Sequence, residues 1–343
     1  MTGFWKSLSR PFWAMAPMED VTDTVFRRIV ASVGKPDVCF TEFTNVDAIV
    51  YAVRNAQKSV LELPVSLRSP GSLRADFASI PALQRLYFSE SERPIVAQIW
   101  GTDPQKFYEA SKIIKKLGFD GIDINFGCPV RDVVKIGACS AMIGKNSQVA
   151  EIIAAVKEGS KLPVSIKTRI GFKAIVTEEW IGFLLGQGLA AITVHGRTAV
   201  ELSSVPAHWE EIGKAVSLRD QSESETLIVG NGDVKSLEEA REKVREYGVD
   251  GVMIGRGVLE NPAIFNSKPA CRSGRFLILN RTQKLKLLNQ HLKLWEETWG
   301  EHKNFAAFKK YVKVYVRDFE GAGELRARLM NAASYSDLRQ ILG

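Results

Sequence analysis

The sequence lacks paired cysteines, long apolar runs and an N-terminal targeting segment. Its 343 residues include four cysteines and no Cys-x-x-Cys pair, which argues against a zinc site and suits a reducing compartment. No apolar run approaches the ~20 residues that a membrane span needs. The first residues, MTGFWKSLSRPFW, are too short and too broken for a signal peptide. These absences predict a cytoplasmic protein without a metal site or a membrane partner.

The composition is that of a globular protein, but the charge is unevenly distributed. The chain is 45% hydrophobic and 25% charged, and its length predicts one large domain with a smaller one, or two domains. Residues 268–343 hold 15 Lys/Arg against 7 Asp/Glu, although the whole chain carries only +7. A nearly neutral body with a basic tail indicates a polyanionic partner. A solvated helical surface is the alternative explanation.

Short apolar runs alternate with helical patterns from residue 12 to residue 265. This alternation predicts a parallel sheet with right-handed crossovers. Eight such units match the size of an α/β fold of the TIM (β/α)8 barrel type, with a doubly wound sheet as the alternative. The predicted strands are 12–18, 37–43, 94–100, 121–126, 163–169, 190–195, 227–230 and 251–254. The segment 45–93 is longer than a usual crossover and receives no assignment.

The pattern changes after Phe265. Residues 266–273 have the composition of a linker, and 282–299, 303–319 and 323–342 are predicted to be helices. The middle helix has apolar residues at the spacing of one helical face. They are Phe305, Phe308, Val312, Tyr315 and Phe319. We therefore predict a TIM-barrel domain of residues 1–267 and a small, basic, all-α C-terminal domain of residues 268–343.

One stretch lies where chemistry is expected in such a fold. The apolar run 121–126 stops at Gly127-Cys128-Pro129, so Cys128 is predicted on a loop at the carboxyl end of a strand, the functional edge of a parallel barrel. Asn125 is the last polar group on that strand. From the residues alone, Cys128 fits a buried packing residue, a thiolate nucleophile or ligand, or a proton-donating thiol.

Other polar groups lie on neighbouring predicted strands or directly after them. Gln98, Lys167 and His195 interrupt or end apolar runs. Because a buried lysine is costly without a partner, a bound anionic group explains Lys167 better than packing does. Asn231-Gly232-Asp233 and Gly255-Arg256-Gly257 follow the last two strands, where glycine loops commonly bind phosphate. The set predicts one shared ligand that carries a phosphate.

In this order, the motifs resemble those of the tRNA-dihydrouridine synthase family over nearly the whole chain. The matching motifs include Ala16-Pro17-Met18, Val21-Thr22-Asp23, Thr41-Glu42, Gln98, residues 123–129, Lys167, Arg169-Ile170-Gly171, His195-Gly196-Arg197-Thr198, the two glycine loops, Lys309-Lys310 and Glu324-Leu325-Arg326. The resemblance implies an FMN-containing barrel followed by a helical tRNA-binding domain. It also implies reduction of the 5,6 double bond of a flipped uridine, with hydride from FMN reduced by NADPH or NADH and a proton from Cys128.

The resemblance also implies a role for each site residue. The implied FMN contacts are Pro17, Met18, Glu19, Gln98, Lys167, His195, Asn231, Gly232, Asp233, Gly255 and Arg256. The implied substrate contacts are Asn125 at the uracil edge, together with Arg169 and Arg197. In this arrangement Lys167 would stabilise the anionic reduced flavin. A monomer is expected.

Two places depart from the family pattern. Asp20 occupies a position where glycine is common, and residues 201–205 differ from the usual loop before Ala207-His208-Trp209. The placement of the tRNA at the mouth is therefore left open. Two alternative functions are an FMN barrel acting on a free pyrimidine, similar to dihydroorotate dehydrogenase, and a non-catalytic tRNA-binding protein.

Overall fold

A computed structural model describes residues 3–55, 80–267 and 279–343. Residues 56–79 of the unassigned 45–93 segment and residues 268–273 of the predicted linker lie outside the described residues. The strands are β1 Phe12–Met15, β2 Cys39–Phe40, β3 Thr44–Asn45, β4 Ile95–Trp100, β5 Gly121–Phe126, β6 Val164–Gly171, β7 Ala191–Thr198, β8 Leu227–Asn231 and β9 Gly251–Ile254.

All of these strands pair in parallel, in the order β1-β9-β8-β7-β6-β5-β4-β2, and β3 also pairs with β4. A parallel bridge between Ala14 and Val38 joins the two ends of this order. The predicted barrel is confirmed, and the doubly wound alternative is wrong. The predicted second strand, 37–43, contains only β2, and β3 follows beyond the predicted range. Both strands pair with β4, so together they take one place in the ring.

Alternate residues along each strand face opposite sides of the sheet, and they form two separate apolar cores. One core fills the space between the strands and the outer helices. The other is the inner layer of the barrel, with Phe12, Ala14, Phe40, Val229 and Met253 among its members. Polar residues of β4 to β8 take the alternating positions nearer the carboxyl ends of the strands, so the barrel is apolar inside and polar at its mouth.

Helices follow the strands, and some of them begin after a residue whose side chain caps the helix. They span Thr24–Val33, Val46–Asn55, Pro81–Arg85, Pro104–Leu117, Arg131–Lys135, Asn146–Ser160, Thr177–Leu185, Trp209–Gln221, Leu237–Tyr247 and Arg256–Glu260. Asp103 accepts from Gln105 N at 2.8 Å, and Ser236 accepts from Glu239 N at 3.1 Å. Each cap satisfies a backbone donor that the helix leaves free. None of the helices in the described residues is long and apolar enough to cross a membrane.

The C-terminal region is helical as predicted, but two of its three predicted helices are wrong in extent. Its helices span Arg281–Trp299, Phe305–Phe308, Val312–Tyr315, Ala322–Asn331 and Tyr335–Leu342. The predicted 303–319 helix is a series of short turns because its many valines and aromatic residues are weak helix formers. The predicted 323–342 helix is interrupted before Tyr335, where Ser334 caps a new helix by accepting from Asp337 N at 3.1 Å.

The C-terminal helices pack directly on the barrel. Trp299 Nε1 donates to Asp23 Oδ2 at 2.8 Å, and Tyr311 OH donates to Val21 O at 2.8 Å. The Tyr311 ring stacks on Phe26 of the Thr24–Val33 helix, with 5.5 Å between centroids. The apolar core between strands and helices continues into this region. The division of the chain into domains at residue 267 stays a prediction.

Candidate active site

Cys128 lies just beyond the end of β5, as the Gly-Cys-Pro sequence predicts. Asn125 Oδ1 accepts from the backbone N–H groups of Gly127, at 3.0 Å, and Cys128, at 2.9 Å. This single side chain therefore folds the loop that carries the thiol. Cys128 is 9% exposed, so it lies in the wall of the mouth and is still reachable from it.

A chain of buried hydrogen bonds supports Asn125 from below. Its Nδ2 donates to Gln98 Oε1 at 3.0 Å, and Gln98 Nε2 donates to Asp123 Oδ2 at 2.7 Å. Ser165 Oγ donates to the other Asp123 oxygen at 2.6 Å. Burial raises the pKa of Asp123 to about 6, although the bonds from Ser165 and Gln98 lower it. The network fixes the orientation of the Gln98 amide.

Lys167 is opposite Asn125 in the register of β5 and β6. Its ammonium forms no hydrogen bond or ion pair with the described residues. Burial lowers the pKa of Lys167 to about 8, with a further contribution from Arg169, so most of the side chain remains charged at neutral pH. Lys167 is partly exposed at the mouth, and a desolvated cation without a hydrogen-bonded partner is a candidate for binding an anionic ligand.

Arg169, two residues further along β6, is tied to the backbone of two loops. Its Nε donates to Gly127 O at 2.8 Å, and its Nη1 donates to Thr198 O at 2.9 Å and to Leu202 O at 3.4 Å. Burial lowers the pKa of Arg169 to about 10, helped by the nearby Arg197. Arg169 therefore links the Cys128 loop to the 201–205 loop, the segment that departs from the family pattern.

Arg197 is almost fully buried, and each of its three side-chain nitrogens has a partner. Nε donates to Val205 O at 2.6 Å, Nη1 is 3.2 Å from His195 Nε2, and Nη2 pairs with Asp233. Burial and the surrounding cations, Lys167 first among them, lower the pKa of His195 far below its ordinary value. His195 is thus a neutral imidazole, held between cations at the mouth.

The two predicted phosphate loops converge at the last strands. The Asp233 carboxylate pairs with Arg197 and also with Arg256, whose Nη2 is 2.9 Å away. Gly232 has φ of 137°, and a Cβ on it would lie 2.6 Å from the Ala207 methyl. Only glycine fits there. Because the Asp233 side chain is occupied by arginines, a phosphate would approach through the backbone and Arg256.

Gly255 and Met18 face each other across this end of the mouth. A Cβ on Gly255 would lie 3.5 Å from the Ala16 methyl and 3.9 Å from Met18 Sδ, and would fill the space between the two loops. Asn231 Nδ2 donates to Met253 O at 2.8 Å, which holds the start of one loop to β9. The predicted cofactor residues of β1, β8 and β9 thus line one cleft.

The loop after β1 has a defined shape. Met18 N donates to Thr22 Oγ1 at 2.9 Å, and Pro17 and Glu19 are half-buried. Glu19 accepts from Arg85 Nε at 3.0 Å, while burial raises the pKa of Glu19. Asp20 has φ of 57°, a left-handed conformation that favours glycine. This geometry explains why glycine is common at this position, where this chain has an aspartate.

Comparison with known proteins assigns the family. The family model described as "Dihydrouridine synthase (Dus)" matches residues 14–342. The chain belongs to the dihydrouridine synthase family. The match includes the mouth of the barrel and the C-terminal helices, so both regions described above are features of the family.

Curated relatives match the chain over almost its full length. It is 40% identical over 341 residues to a "Probable tRNA-dihydrouridine synthase" of Staphylococcus aureus (strain COL). This alignment covers 99% of this chain and 94% of that protein. It is also 40% identical to "Probable tRNA-dihydrouridine synthase 2" of Bacillus subtilis (strain 168), with 99% and 95% coverage.

More distant solved structures share the fold. Morphinone reductase superposes with a TM-score of 0.50 at 13% identity, over 79% of this chain and 90% of that one. Histamine dehydrogenase from Rhizobium sp. 4-9 superposes with a TM-score of 0.51 at 12% identity, over 82% of this chain and 48% of that one. At these identities the likeness concerns the barrel fold alone.

Sequence analysis assigned no role to two residues of this dihydrouridine synthase site. Asp123 anchors the buried network, and its signal in the sequence is the alternation with Asn125, which places both side chains inside the barrel. Cys139 packs against Cys128, and nothing in the sequence brings these two cysteines together. Within the described parts of the chain, no group of three or more His, Cys, Asp or Glu could hold a metal ion.

Proposed function

We propose that this chain reduces the 5,6 double bond of uridines in tRNA to 5,6-dihydrouridine, using a flavin. Membership of the dihydrouridine synthase family supports the reaction. The observation that carries the proposal is that Cys128 and Lys167 lie at one mouth, because Asn125 bonds to the Cys128 N–H and is opposite Lys167 in the register of β5 and β6. The Cys128 thiol can give a proton, and the Lys167 ammonium can hold an anionic flavin ring.

We propose FMN as the flavin because the cleft offers a cation at one end and a phosphate site at the other. Lys167, Gln98 and His195 lie on the central strands, where the ring would bind. Met18, Gly255 and Arg256 lie at the far end, where glycine leaves room for a phosphate. A bound flavin supplies the hydride for the reduction, which it takes from NADPH or NADH.

Cys128 is the proposed proton donor. A hydrogen bond from Cys139, the Val130 N–H and the nearby Lys167 and Arg169 together lower the pKa of Cys128 to about 7, although burial opposes them. A general acid acts best when its pKa is close to the working pH. At neutral pH much of the thiol is protonated and can protonate C5 of the reduced uracil.

Asn125 positions this thiol and is the proposed contact to the uracil edge. Of the two arginines, Arg169 is the better candidate for a substrate contact, because its Nη2 has no hydrogen bond within the described residues. The nitrogens of Arg197 are occupied by Val205, His195 and Asp233. We therefore propose that Arg197 holds the 201–205 loop and His195 in place.

We propose that the basic C-terminal region binds the tRNA backbone. Lys313, Arg317 and Arg326 line one open groove on its surface. Cations arranged along a groove neutralise successive phosphates, and such binding weakens as salt is added. We also propose that the protein acts as a monomer in the cytoplasm.

The replacement Cys128→Ala tests the proton-donor assignment. We expect dihydrouridine formation to fall by about 10²-fold or more, the usual contribution of a general acid. Bound flavin and its reduction by NADPH should be retained, because Cys128 lies at the wall of the mouth. Dihydrouridine is measured by mass spectrometry of tRNA nucleosides, and flavin reduction by absorbance.

Unchanged product formation by Cys128→Ala would remove the proton-donor role. The function itself is tested by mapping dihydrouridine in tRNA from cells with and without the gene. Turnover of a free pyrimidine without tRNA binding would favour the small-molecule alternative. A purified protein that cannot be reconstituted with FMN would favour the non-catalytic one.

A further inference from the structure

Large apolar side chains are exposed on three neighbouring loops at the mouth of the barrel. Within the described residues, six large apolar side chains are exposed, and five of them lie on the segments that follow β5, β6 and β7. These five, here termed the apolar rim, are Val130, Ile136, Ile175, Val200 and Leu202. Single exposed apolar residues are common on any surface, but a group on adjoining loops indicates a contact site.

Hydrogen bonds join the three loops that carry the apolar rim. Ala199 N donates to Gly171 O at 3.0 Å, which connects the loop after β7 to the end of β6. Arg169 donates to Gly127 O at 2.8 Å and to Leu202 O at 3.4 Å, so it also connects the loop after β5. The exposed apolar side chains therefore surround the loop that carries the proposed proton donor.

The loop after β7, residues 198–208, is closed by a charged bridge. His208 Nε2 lies 3.2 Å from Glu201 Oε1, and His208 Nδ1 lies 3.1 Å from Glu210 Oε1. Two carboxylate acceptors require both ring nitrogens to donate, as in charged histidine, and the bond to Glu201, assisted by Glu210, raises the pKa of His208. The other Glu201 oxygen accepts from Thr198 N at 2.7 Å. The two ends of the loop are thus tied to each other.

Leu202, on this loop, is not explained by the packing of the free protein. Its φ of 52° lies in the left-handed region, which is unfavourable for a leucine and costs a glycine nothing. Its side chain is 53% exposed, so burial in the core does not offset this cost. A ligand that covers Leu202 at the mouth would offset it.

Exposed cations lie beside the apolar rim. Arg131 and Lys135 follow the Cys128 loop, with Asp132 3.8 Å from Lys135, and Lys173 lies on the loop after β6. An apolar surface with cations beside it matches an unpaired nucleotide, whose base has an apolar face and whose phosphate is anionic. The charge therefore favours a nucleic-acid strand as the ligand that covers the apolar rim.

We propose that the apolar rim binds the unpaired base next to the target uridine, with Leu202 as a specificity-determining residue. The proposal rests on the proposed function and deepens it. A uridine that leaves its stack for the pocket brings its neighbours in the strand to the edge of the mouth. Their bases lose a stacking partner, and an apolar surface replaces it. The bridge between Glu201 and His208 positions Leu202 for this contact.

Photocrosslinking locates the contact. Leu202 is replaced by photoreactive p-benzoylphenylalanine in the full-length, flavin-loaded protein, which is irradiated with unmodified tRNA. The crosslinked nucleotide is read as a stop of reverse transcription, and the reduced uridine is mapped separately as dihydrouridine. We expect the crosslink at the nucleotide next to that uridine. No crosslink, or a crosslink confined to another part of the tRNA, would overturn the proposal.

Two replacements of Leu202 measure its contribution to tRNA binding. We expect Leu202→Ser to weaken binding by about 4- to 15-fold, the effect of one to two buried methylene groups, without lowering the melting temperature. Leu202→Met keeps an apolar side chain and should bind like wild type. Tyr51→Ser is the matched control, because Tyr51 is 72% exposed but lies outside the apolar rim. His208→Ala should weaken binding and add little to Leu202→Ser, because both act through one loop.

These measurements need no turnover, so they separate the two proposals. If tRNA binds and crosslinks through position 202 but gains no dihydrouridine, the proposed function fails while the apolar rim remains an RNA contact. If tRNA is reduced and Leu202→Ser binds it like wild type, only the role of the apolar rim fails. A Leu202→Ser protein with a raised KM for NADPH and unchanged tRNA binding would assign the apolar rim to the reductant and overturn the proposal.

Discussion

The mouth of the barrel and its junction with the C-terminal helices each hold a desolvated charged side chain, Lys167 partly exposed and Asp23 buried, but only Asp23 has hydrogen-bonded partners within the described residues. Asp23 accepts from Phe26 N at 3.0 Å, from Trp299 Nε1 at 2.8 Å and from Lys303 Nζ at 3.1 Å. Lys167 at the mouth has no such partner within the described residues. One charge is used to join two parts of the protein, and the other is left for a ligand.

This difference shows how a buried charge can be assigned a role. Burial raises the pKa of Asp23, but Lys303 and the Phe26 N–H outweigh it, and the pKa falls below its ordinary value. The pKa of Lys167 is lowered instead, which favours the uncharged form of the side chain. A charge that its hydrogen-bonded partners stabilise on balance is structural, whereas a charge that its surroundings disfavour on balance is a candidate for binding or catalysis.

The largest expected effect is a loss of stability when Asp23, the charge with partners, is replaced. Asp23→Ala leaves the Trp299 indole, the Lys303 ammonium and the start of the Thr24–Val33 helix without their acceptor. We expect the free energy of unfolding to fall by about 3–5 kcal/mol, as for other broken buried pairs. Denaturant unfolding measures it. Asp132→Ala is the control, because this carboxylate is 89% exposed and its loss should be nearly neutral.

The same carboxylate predicts a pH dependence. The pKa of Asp23 is lower in the folded protein than in the unfolded chain, where it is about 3.9. Its stabilisation is therefore present above that pH and is lost as the pH falls toward the folded pKa. The stability difference between wild type and Asp23→Asn should shrink below about pH 4. A stability difference that does not shrink below about pH 4 would contradict the structural role of the Asp23 charge.

Lys167, the charge without a hydrogen-bonded partner among the described residues, should not lower the stability of the protein when it is replaced. Lys167→Met replaces a desolvated ammonium with an apolar side chain of similar length, so the ligand-free protein should be as stable as wild type or more stable. Flavin binding should weaken by about 2 kcal/mol or more, the cost of removing one partner of a buried charge pair. Unfolding of the flavin-free protein and a flavin fluorescence titration measure the two effects.

Lys173→Met is the matched control, because Lys173 lies on an exposed part of the loop after β6. It should change neither stability nor flavin binding. A Lys167→Met protein that is strongly destabilised without flavin would show that Lys167 has a structural partner after all. The contrast with Asp23 would then be lost.

The sequence predicts where these groups lie better than what they contact. Alternating polar and apolar residues place Gln98, Asn125 and Lys167 on strands, and the Gly-Cys-Pro break places Cys128 at a strand end. Both inferences depend on local pattern and are confirmed. That Lys167 is unpaired depends on residues far apart in the sequence, which no local pattern reveals.

The C-terminal region shows a similar limit, because the local pattern locates buried residues but not the ends of helices. The apolar spacing of Phe308, Val312 and Tyr315 correctly identifies a buried face, and all three are buried. It gives the wrong helix length, because the valines and aromatic residues that form this face are weak helix formers and the segment folds as short turns. The proximity of Cys139 to Cys128 had no signal in the sequence, because it depends on how the chain between them folds.

The smallest expected effect tests the loop that connects the two regions. Asp20 lies between Met18 at the mouth and Asp23 at the junction, with a left-handed φ of 57°. Asp20→Gly removes this steric cost but adds chain entropy to the unfolded state. The two opposing terms leave an expected gain of about 0.5 kcal/mol in the free energy of unfolding.

Asp20→Asn separates charge from conformation, because it keeps the side-chain size and removes the negative charge that acts on Lys310. If backbone strain dominates, Asn should be close to wild type and Gly more stable. If the charge dominates, both variants should lose stability together, and Asp20 would belong with Asp23 among the carboxylates that hold the C-terminal helices to the barrel. Denaturant unfolding of the two variants decides between these outcomes.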